Sequence, residues 1–345
     1  MVTKATKTTQ APQRIGLVKL GAIGDVVNTL PFVNRLRAGF PSAEIEWIIG
    51  PGPHALLEGQ RSVDRFLVFD ARDRGRWLEF ARELRSRRFD LVIDMQRILK
   101  SGLITRASGA PRRLGFDRAR CKEASWLFTS ERIAPNARPG TTLEQYLEFA
   151  DHLGCPAQEW RWDLPYTPFP PPARGERRVV LNLGASKPAN RWYPDAWTRL
   201  IQRLVGECGA SVHLSGGRED RGLAQEVRAL AAVALEDHVG TLSLKQSAGL
   251  FAGAHLFVGC DTGPLHMAVA LGTPVLALFG AADPARTGPA GQLEHVVSEP
   301  APCSPCRRRT CNVDGHPCMR LLTPELVFAR ASTLLLHSGT TLSTH

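Results

Sequence analysis

The sequence predicts an α/β protein of two similar domains, each wound around a parallel sheet, with a cleft between them. Three observations carry this expectation. From 14 to 153, short apolar runs alternate with stretches of helical spacing, the pattern of a doubly wound parallel sheet. Between about 155 and 177 the alternation stops. There Pro165, Pro168, Pro170, Pro171 and Pro172 leave room for neither helix nor interior strand, so the segment reads as a stiff linker. From 178 the alternation restarts and runs to 336. The expected plan is therefore a first domain at 14–160, a Pro-rich linker at 161–177 and a second domain at 178–336. Ligands belong at the strand C-termini that line the cleft.

Each element has a local reason. A first buried strand is expected at 14–20, then the turn Gly21-Ala22-Ile23-Gly24-Asp25, then a helix over 26–36 on its apolar spacing. Strands follow at 44–49 and 64–69, a basic helix at 76–87, a strand at 91–94, a short strand at 112–116 and a helix at 142–153. In the second half the order is strand 179–183, helix 195–207, strand 211–214, helix 219–232 and helix 243–252. A strand at 254–258 leads into a helix opened by Pro264, and a strand at 275–279 and a helix at 324–336 complete the series.

Composition narrows the class. At 345 residues the chain can fill two cores, and 43% apolar with 22% charged residues is the balance of a soluble globular protein. The longest apolar run, 267–282, is broken by Gly272, Thr273 and Pro274 and is no membrane span. Residues 1–12 are polar and lack the apolar core of a signal peptide, so a cytoplasmic protein is expected. The net charge of +10 favours an anionic partner: nucleic acid, an acidic membrane surface or a phosphorylated substrate.

Several strand-end loops hold residues that could do chemistry. In the second half, Gly259-Cys260-Asp261-Thr262-Gly263-Pro264-Leu265-His266 runs from strand through a tight turn into a helix N-terminus, where free N–H groups and the dipole attract anions. The loop 182–194 offers Ser186, Lys187 and Arg191, suited to a diphosphate, and 215–220 offers Glu219 and Asp220, suited to ribose hydroxyls. A solvated loop and plain helix caps are the alternatives for these two. In the first half, Asp25 is either an N-cap or a general base that takes a proton from an acceptor hydroxyl. The first turn is not G-x-G-x-x-G, and no acidic residue closes the second strand at Ile49-Gly50, so a hydride-transferring dinucleotide enzyme is poorly supported.

Lys19-Leu20-Gly21-Ala22-Ile23-Gly24-Asp25-Val26 with Thr29-Leu30-Pro31, and Asp261-Thr262-Gly263-Pro264-Leu265-His266 before Gly272-Thr273-Pro274-Val275, resemble the ADP-heptose:lipopolysaccharide heptosyltransferases of glycosyltransferase family 9. The resemblance spans about 14–336. It implies a GT-B fold of two Rossmann-like domains, the N-terminal one binding the acceptor and the C-terminal one the nucleotide-sugar. It further implies inverting, metal-independent transfer of heptose from ADP-heptose to the lipopolysaccharide inner core. Asp25 would be the base. Asp261, Thr262, Gly263 and His266 would meet the donor diphosphate, with Arg191 or Lys187 as the cation. The lipid A–Kdo acceptor is anionic, and Lys19, Arg61, Arg97, Lys100, Arg112 and Arg113 are candidates to meet it, at the cytoplasmic face of the inner membrane. Another nucleotide-sugar or acceptor within the family is the runner-up.

Four of the eight cysteines cluster as Cys303-x2-Cys306-x4-Cys311-x6-Cys318. Four thiols match the ligand count of a structural Zn²⁺ or, less well, an iron–sulfur cluster. Reduced thiols or two disulfides are the other uses, and a reducing compartment argues against the disulfides. A zinc-bearing nucleic-acid-binding protein would share the charge and the cysteines, yet it leaves the paired halves and Asp25 unexplained, so no nucleic acid is expected.

Overall fold

The computed structural model describes residues 11–338, without the side chains of Arg74 and Ser338. Most of the polar N-terminal stretch at 1–12 lies outside the described residues. The first sheet is built from β1 (Arg14–Val18), β2 (Glu44–Ile49), β3 (Arg65–Val68), β4 (Leu91–Asp94), β5 (Arg112–Gly115) and β6 (Glu131–Arg132), in the order β3-β2-β1-β4-β5-β6. Its helices are α1 (Ile23–Val27), α2 (Leu30–Gly39), α3 (Pro51–Leu57), α4 (Trp77–Ser86), α5 (Leu99–Ala107) and α6 (Thr142–His152). The second sheet holds β7 (Arg177–Asn182), β8 (Ala210–Ser215), β9 (Glu236–Asp237), β10 (Leu256–Cys260), β11 (Val275–Leu278) and β12 (Val296–Val297), in the order β12-β11-β10-β7-β8-β9. With it go α7 (Pro194–Cys208), α8 (Arg221–Ala231), α9 (Leu244–Ala252), α10 (Gly263–Ala270), α11 (Pro284–Thr287), α12 (Pro317–Arg320) and α13 (Pro324–Ser338).

Counted from its own first strand, each sheet has the same order, 3-2-1-4-5-6, and every pairing is parallel. The order reverses beside β1 and beside β7, so each half opens a crevice where those strands end, at Val18 and at Asn182. Strands covered by helices on both faces need apolar side chains in both directions, which is why Leu17, Val18, Ile45, Trp47, Ile48 and Ile49 are all buried. Trp47, Phe32 and Phe149 fill the first core; Trp197, Leu200 and Val258 fill the second.

The expected helix at 26–36 is two helices. α1 starts earlier, at Ile23, and ends at Val27; α2 starts at Leu30. Pro31 cannot donate a helical hydrogen bond, and Thr29 Oγ1 donates to the Asp25 carbonyl at 2.8 Å, closing the first helix early. The short helices α3 and α5 and the two-residue strands β6, β9 and β12 carry too little periodic pattern to be read in advance. The linker is pinned to both halves: the Thr167 amide donates to the Lys245 carbonyl at 3.0 Å, and Gln60 of the first half donates to the Trp162 carbonyl at 3.3 Å.

Candidate active site

Asp25 is the third residue of α1, and the N-cap position belongs to Ala22, so the capping role is overturned. Its carboxylate stands at the cleft end of β1, 39% exposed, and accepts from Lys19 Nζ at 3.2 Å. Lys19 is buried beneath it, also donating to the Tyr146 hydroxyl at 2.6 Å and to the Met95 carbonyl at 3.4 Å. Burial alone would push the Asp25 carboxyl up; the Lys19 charge and hydrogen bond, with His266 and Arg97, outweigh it and hold the carboxyl below its ordinary value. Arg97 completes this wall. Its backbone sits at φ 69°, a left-handed conformation that costs a non-glycine residue about 1 kcal/mol or more, and its guanidinium lies 3.8 Å from the Phe116 ring centre.

The facing wall comes from the second half. α10 begins at Gly263 with Thr262 as N-cap and Pro264 in its first turn, presenting unpaired amides to the cleft. His266, one turn in, reaches across: Asn28 Nδ2 of the first half hydrogen-bonds His266 Nδ1 at 3.2 Å. Burial lowers the His266 pKa, while Asp261 and Asp25 pull the other way, so the ring is coupled to both carboxylates. The approach depends on glycine. A Cβ at Gly24 would fall 2.5 Å from His266 Cδ2, and one at Gly263 would fall 3.0 Å from Ile23 Cβ. Burial raises the Asp261 carboxyl, opposed by His266, Arg286 and Lys187 and by a hydrogen bond with Thr287.

Beside this meeting point lies a cavity of about 800 Å³ with Ile23 and Pro53 on one side and Ser186, Glu219, Thr262 and Gly263 on the other. Thr262 Oγ1 and Asn182 Oδ1 on its wall are buried without a hydrogen-bond partner among the described residues, which suits a polar ligand. Leu242, Leu244 and Met267 give it an apolar section.

Ser186, Lys187, Asp261, Thr262, Gly263 and His266 thus converge at the strand ends of the second half. Glu219 is exposed on the cavity wall, whereas Asp220 is buried: its carboxylate accepts from the Gly217 amide at 2.9 Å, with Arg191 at 3.8 Å. Asp220 therefore holds the turn together.

Four residues expected on the acceptor side are corrected. Lys19 is buried and committed to Asp25 and Tyr146, so it cannot meet a large acceptor. Arg112 and Arg113 sit at the starting end of β5, level with Leu91 and Val92, away from the cleft. Arg112 pairs with Glu131 at 2.8 Å, and Arg113 donates to the Phe128 and Ala110 carbonyls. Arg61 precedes β3 and is exposed at the same far end, since the parallel strands all start there. Arg97 and Lys100 follow β4 and remain at the cleft end.

Tyr146, Asn28 and Arg286 join the site unannounced. Arg286 lies on α11, whose backbone carbonyl accepts from Thr142 Oγ1 of the first half at 2.9 Å. The Asp283-Pro284 cap after a buried strand was a signal for this fourth strand-end loop; nothing local marked Tyr146 or Asn28.

The four clustered cysteines line one cavity of about 420 Å³, and burial, reinforced by the neighbouring thiols, pushes Cys318 up to about 11. Yet among the described residues no group of three or more His, Cys, Asp or Glu side chains is placed to hold a metal ion, so the zinc ligand set is not supported. The loop braces the 186–191 loop instead. The Ala189 amide donates to the Arg309 carbonyl at 3.1 Å, and His316 Nε2 donates to the Ala189 carbonyl at 2.8 Å.

The family description glycosyltransferase family 9 (heptosyltransferase) matches residues 77–316. This chain belongs to that family. Lipopolysaccharide heptosyltransferase 1 of Pseudomonas aeruginosa is 30% identical over 313 residues, covering 86% of this chain and 87% of the relative. Among solved structures, the E. coli ADP-heptose LPS heptosyltransferase II superposes with a TM-score of 0.75 at 21% identity, covering 94% of this chain and 99% of that one. E. coli heptosyltransferase WaaC with ADP superposes at 0.72 and 22% identity, covering 95% and 99%. The fold of this family 9 glycosyltransferase is GT-B, as the two sheets facing one crevice require. Among its described residues, no helix is long and apolar enough to cross a membrane.

Proposed function

We propose that this family 9 enzyme transfers heptose from ADP-heptose to the phosphorylated inner core of lipopolysaccharide, with inversion at the anomeric carbon, working at the cytoplasmic face of the inner membrane. The observation that carries the reading is the meeting of Asp25 with the Asp261–His266 turn across the Gly24–Gly263 contact. A base held ionised on one wall faces an anion-binding helix start on the other. Asp25 takes the proton from the acceptor hydroxyl as its oxygen bonds to the anomeric carbon. The bond from that carbon to the diphosphate oxygen breaks on the opposite side, and ADP leaves with the electron pair. Lys187, Arg191, Arg286 and the first-turn amides of α10 stabilise the charge that develops, the part a metal plays in other transferases. Glu219 is assigned to the ribose, and the apolar cavity section to adenine. Arg97 and Lys100 remain as cations for the acceptor.

The test is ADP release from ADP-heptose with a Kdo-terminated lipid A acceptor. Asp25→Asn keeps an acceptor for Lys19 and is expected to lower kcat by about 10²-fold or more, the usual contribution of a placed base, with ADP still raising the melting temperature. Turnover close to wild type in the folded variant would remove Asp25 from its role. A chelator is expected to leave turnover unchanged.

A further inference from the structure

Charge is unevenly spread along this chain. Residues 97–132 carry nine Lys or Arg against three Asp or Glu, so this segment alone holds six of the ten net positive charges. It comprises α5, β5, β6 and the loop between the strands, and part of it meets the cleft rim. α5 starts just after β4 ends, and the Lys122 amide donates to the Arg97 carbonyl at 2.8 Å. The Leu99 amide donates to the Glu123 carboxylate at 3.2 Å, which lays the 117–124 loop against the start of α5. Further along, α5 packs on the 3₁₀ turn Ser125–Phe128 so tightly that a Cβ at Gly102 would fall 2.6 Å from Phe128 Cδ2.

The outward side of this unit carries exposed leucines among its exposed charges. Leu99 and Leu103, one turn apart on α5, are 42% and 43% exposed, and Leu127 on the packed turn is 62% exposed. Around them stand exposed Lys100, Arg106, Arg118 and Lys122. Arg118 lies 4.7 Å from the ring centre of half-buried Trp126, a cation–aromatic pair suited to the headgroup layer. Exposed leucines ringed by cations, with an interfacial tryptophan and no spanning helix, make an in-plane contact for an anionic bilayer.

We propose that the α5 face, with Leu99, Leu103, Leu127 and Trp126 ringed by Lys100, Arg106, Arg118 and Lys122, docks this protein on an anionic lipid surface. The inference rests on the lipid-linked acceptor proposed above. It places the leucines in the acyl boundary with the cleft mouth beside them, so that Asp25 and Arg97 meet an acceptor that stays in the membrane.

Vesicle co-sedimentation of the full chain tests this independently of transfer. Binding to phosphatidylethanolamine–phosphatidylglycerol vesicles is expected, with little on phosphatidylcholine alone and release by added salt. Leu99→Ser with Leu103→Ser and Leu127→Ser is expected to weaken it by about tenfold or more, as is Arg118→Glu with Lys122→Glu. Both variants should keep the melting temperature, the ADP-induced shift and turnover on a delipidated acceptor. Equal binding by the wild type and both variants would overturn the proposal, as would equal binding to neutral vesicles or tighter binding to a short DNA duplex. Because sedimentation reads no chemistry, a failed heptosyl transfer with intact vesicle binding would sink only the functional reading.

Discussion

Asp25 and Lys19 form a pair whose partners sit in different surroundings: the carboxylate opens to the cleft, and the ammonium is sealed in the core with the Tyr146 phenol. In the proposed mechanism Lys19 is thereby a positioning residue that sets the charge of the base. Replacing it with methionine removes the largest influence that lowers the Asp25 carboxyl and leaves burial to raise it. The ionised base then exists only at higher pH. The acid limb of the kcat/KM profile of Lys19→Met is expected to move to higher pH, with more of the activity kept on the alkaline side, and a pH–rate series checks it. A uniform loss at every pH would mean that Lys19 only supports the fold. The place proposed for Asp25, on a turn at the cleft end of a strand, was legible in the sequence, where the family resemblance favoured base over N-cap. The role of Lys19 was not, since a lysine at a strand end reads as a rim cation unless the aromatic that covers it is known.

α1 and α10 touch because each sets a glycine against a side chain of the other, Gly24 against His266 and Gly263 against Ile23. Gly24→Ala drives a Cβ into His266, and such overpacking is expected to cost about 1–3 kcal/mol and to lower kcat with it; a denaturation curve and a turnover assay read the two together. On β8 and just beyond β9, His213 and His238 stack at 5.3 Å, and His213 Nδ1 and His238 Nε2 share a hydrogen bond at 3.1 Å. Burial lowers both pKa values, with Arg178 reinforcing the effect. At neutral pH both states hold these rings uncharged. Below the unfolded value of about 6.5 the unfolded chain takes up protons that the folded chain refuses, so stability falls with pH. The melting temperature is expected to drop from pH 7 to pH 5.5, and less steeply in His213→Gln. Patterning located β8 but not the partner of its histidine, because the two-residue strand β9 has no period to read.

Two copies of one strand order face each other, and the linker, the Asn28–His266 bond and the Thr142–Arg286 bond tie them into a single body around the cavity. ADP, the nucleotide proposed for that cavity, would bind the folded state alone. At a hundred times its Kd it is expected to stabilise the protein by about 2.7 kcal/mol, a rise of several degrees in melting temperature that UDP, GDP and CMP do not match. Equal shifts from all four nucleotides would count against the adenine assignment.

Alternating buried strands, glycine turns and a proline-rich break are encoded over a few residues each, so two α/β halves, the Gly-Asp turn and the Asp-Thr-Gly-x-x-His helix start could be read from the chain alone. Where each cation goes could not. Arg112 and Arg97 are both basic residues at a strand end, but one opens its strand and the other follows one, and in a parallel sheet that difference separates the far side from the cleft. Arg286 reaches Asp261 only because α11 follows a strand that lies next to β10 in the sheet. Four cysteines within sixteen residues satisfy a ligand count, yet the loop places them around a cavity without a metal-holding geometry. Secondary structure follows from local periodicity and backbone chemistry. The partner of a charge depends on sheet order and on which end of a strand it occupies, and both are settled only when distant segments pack.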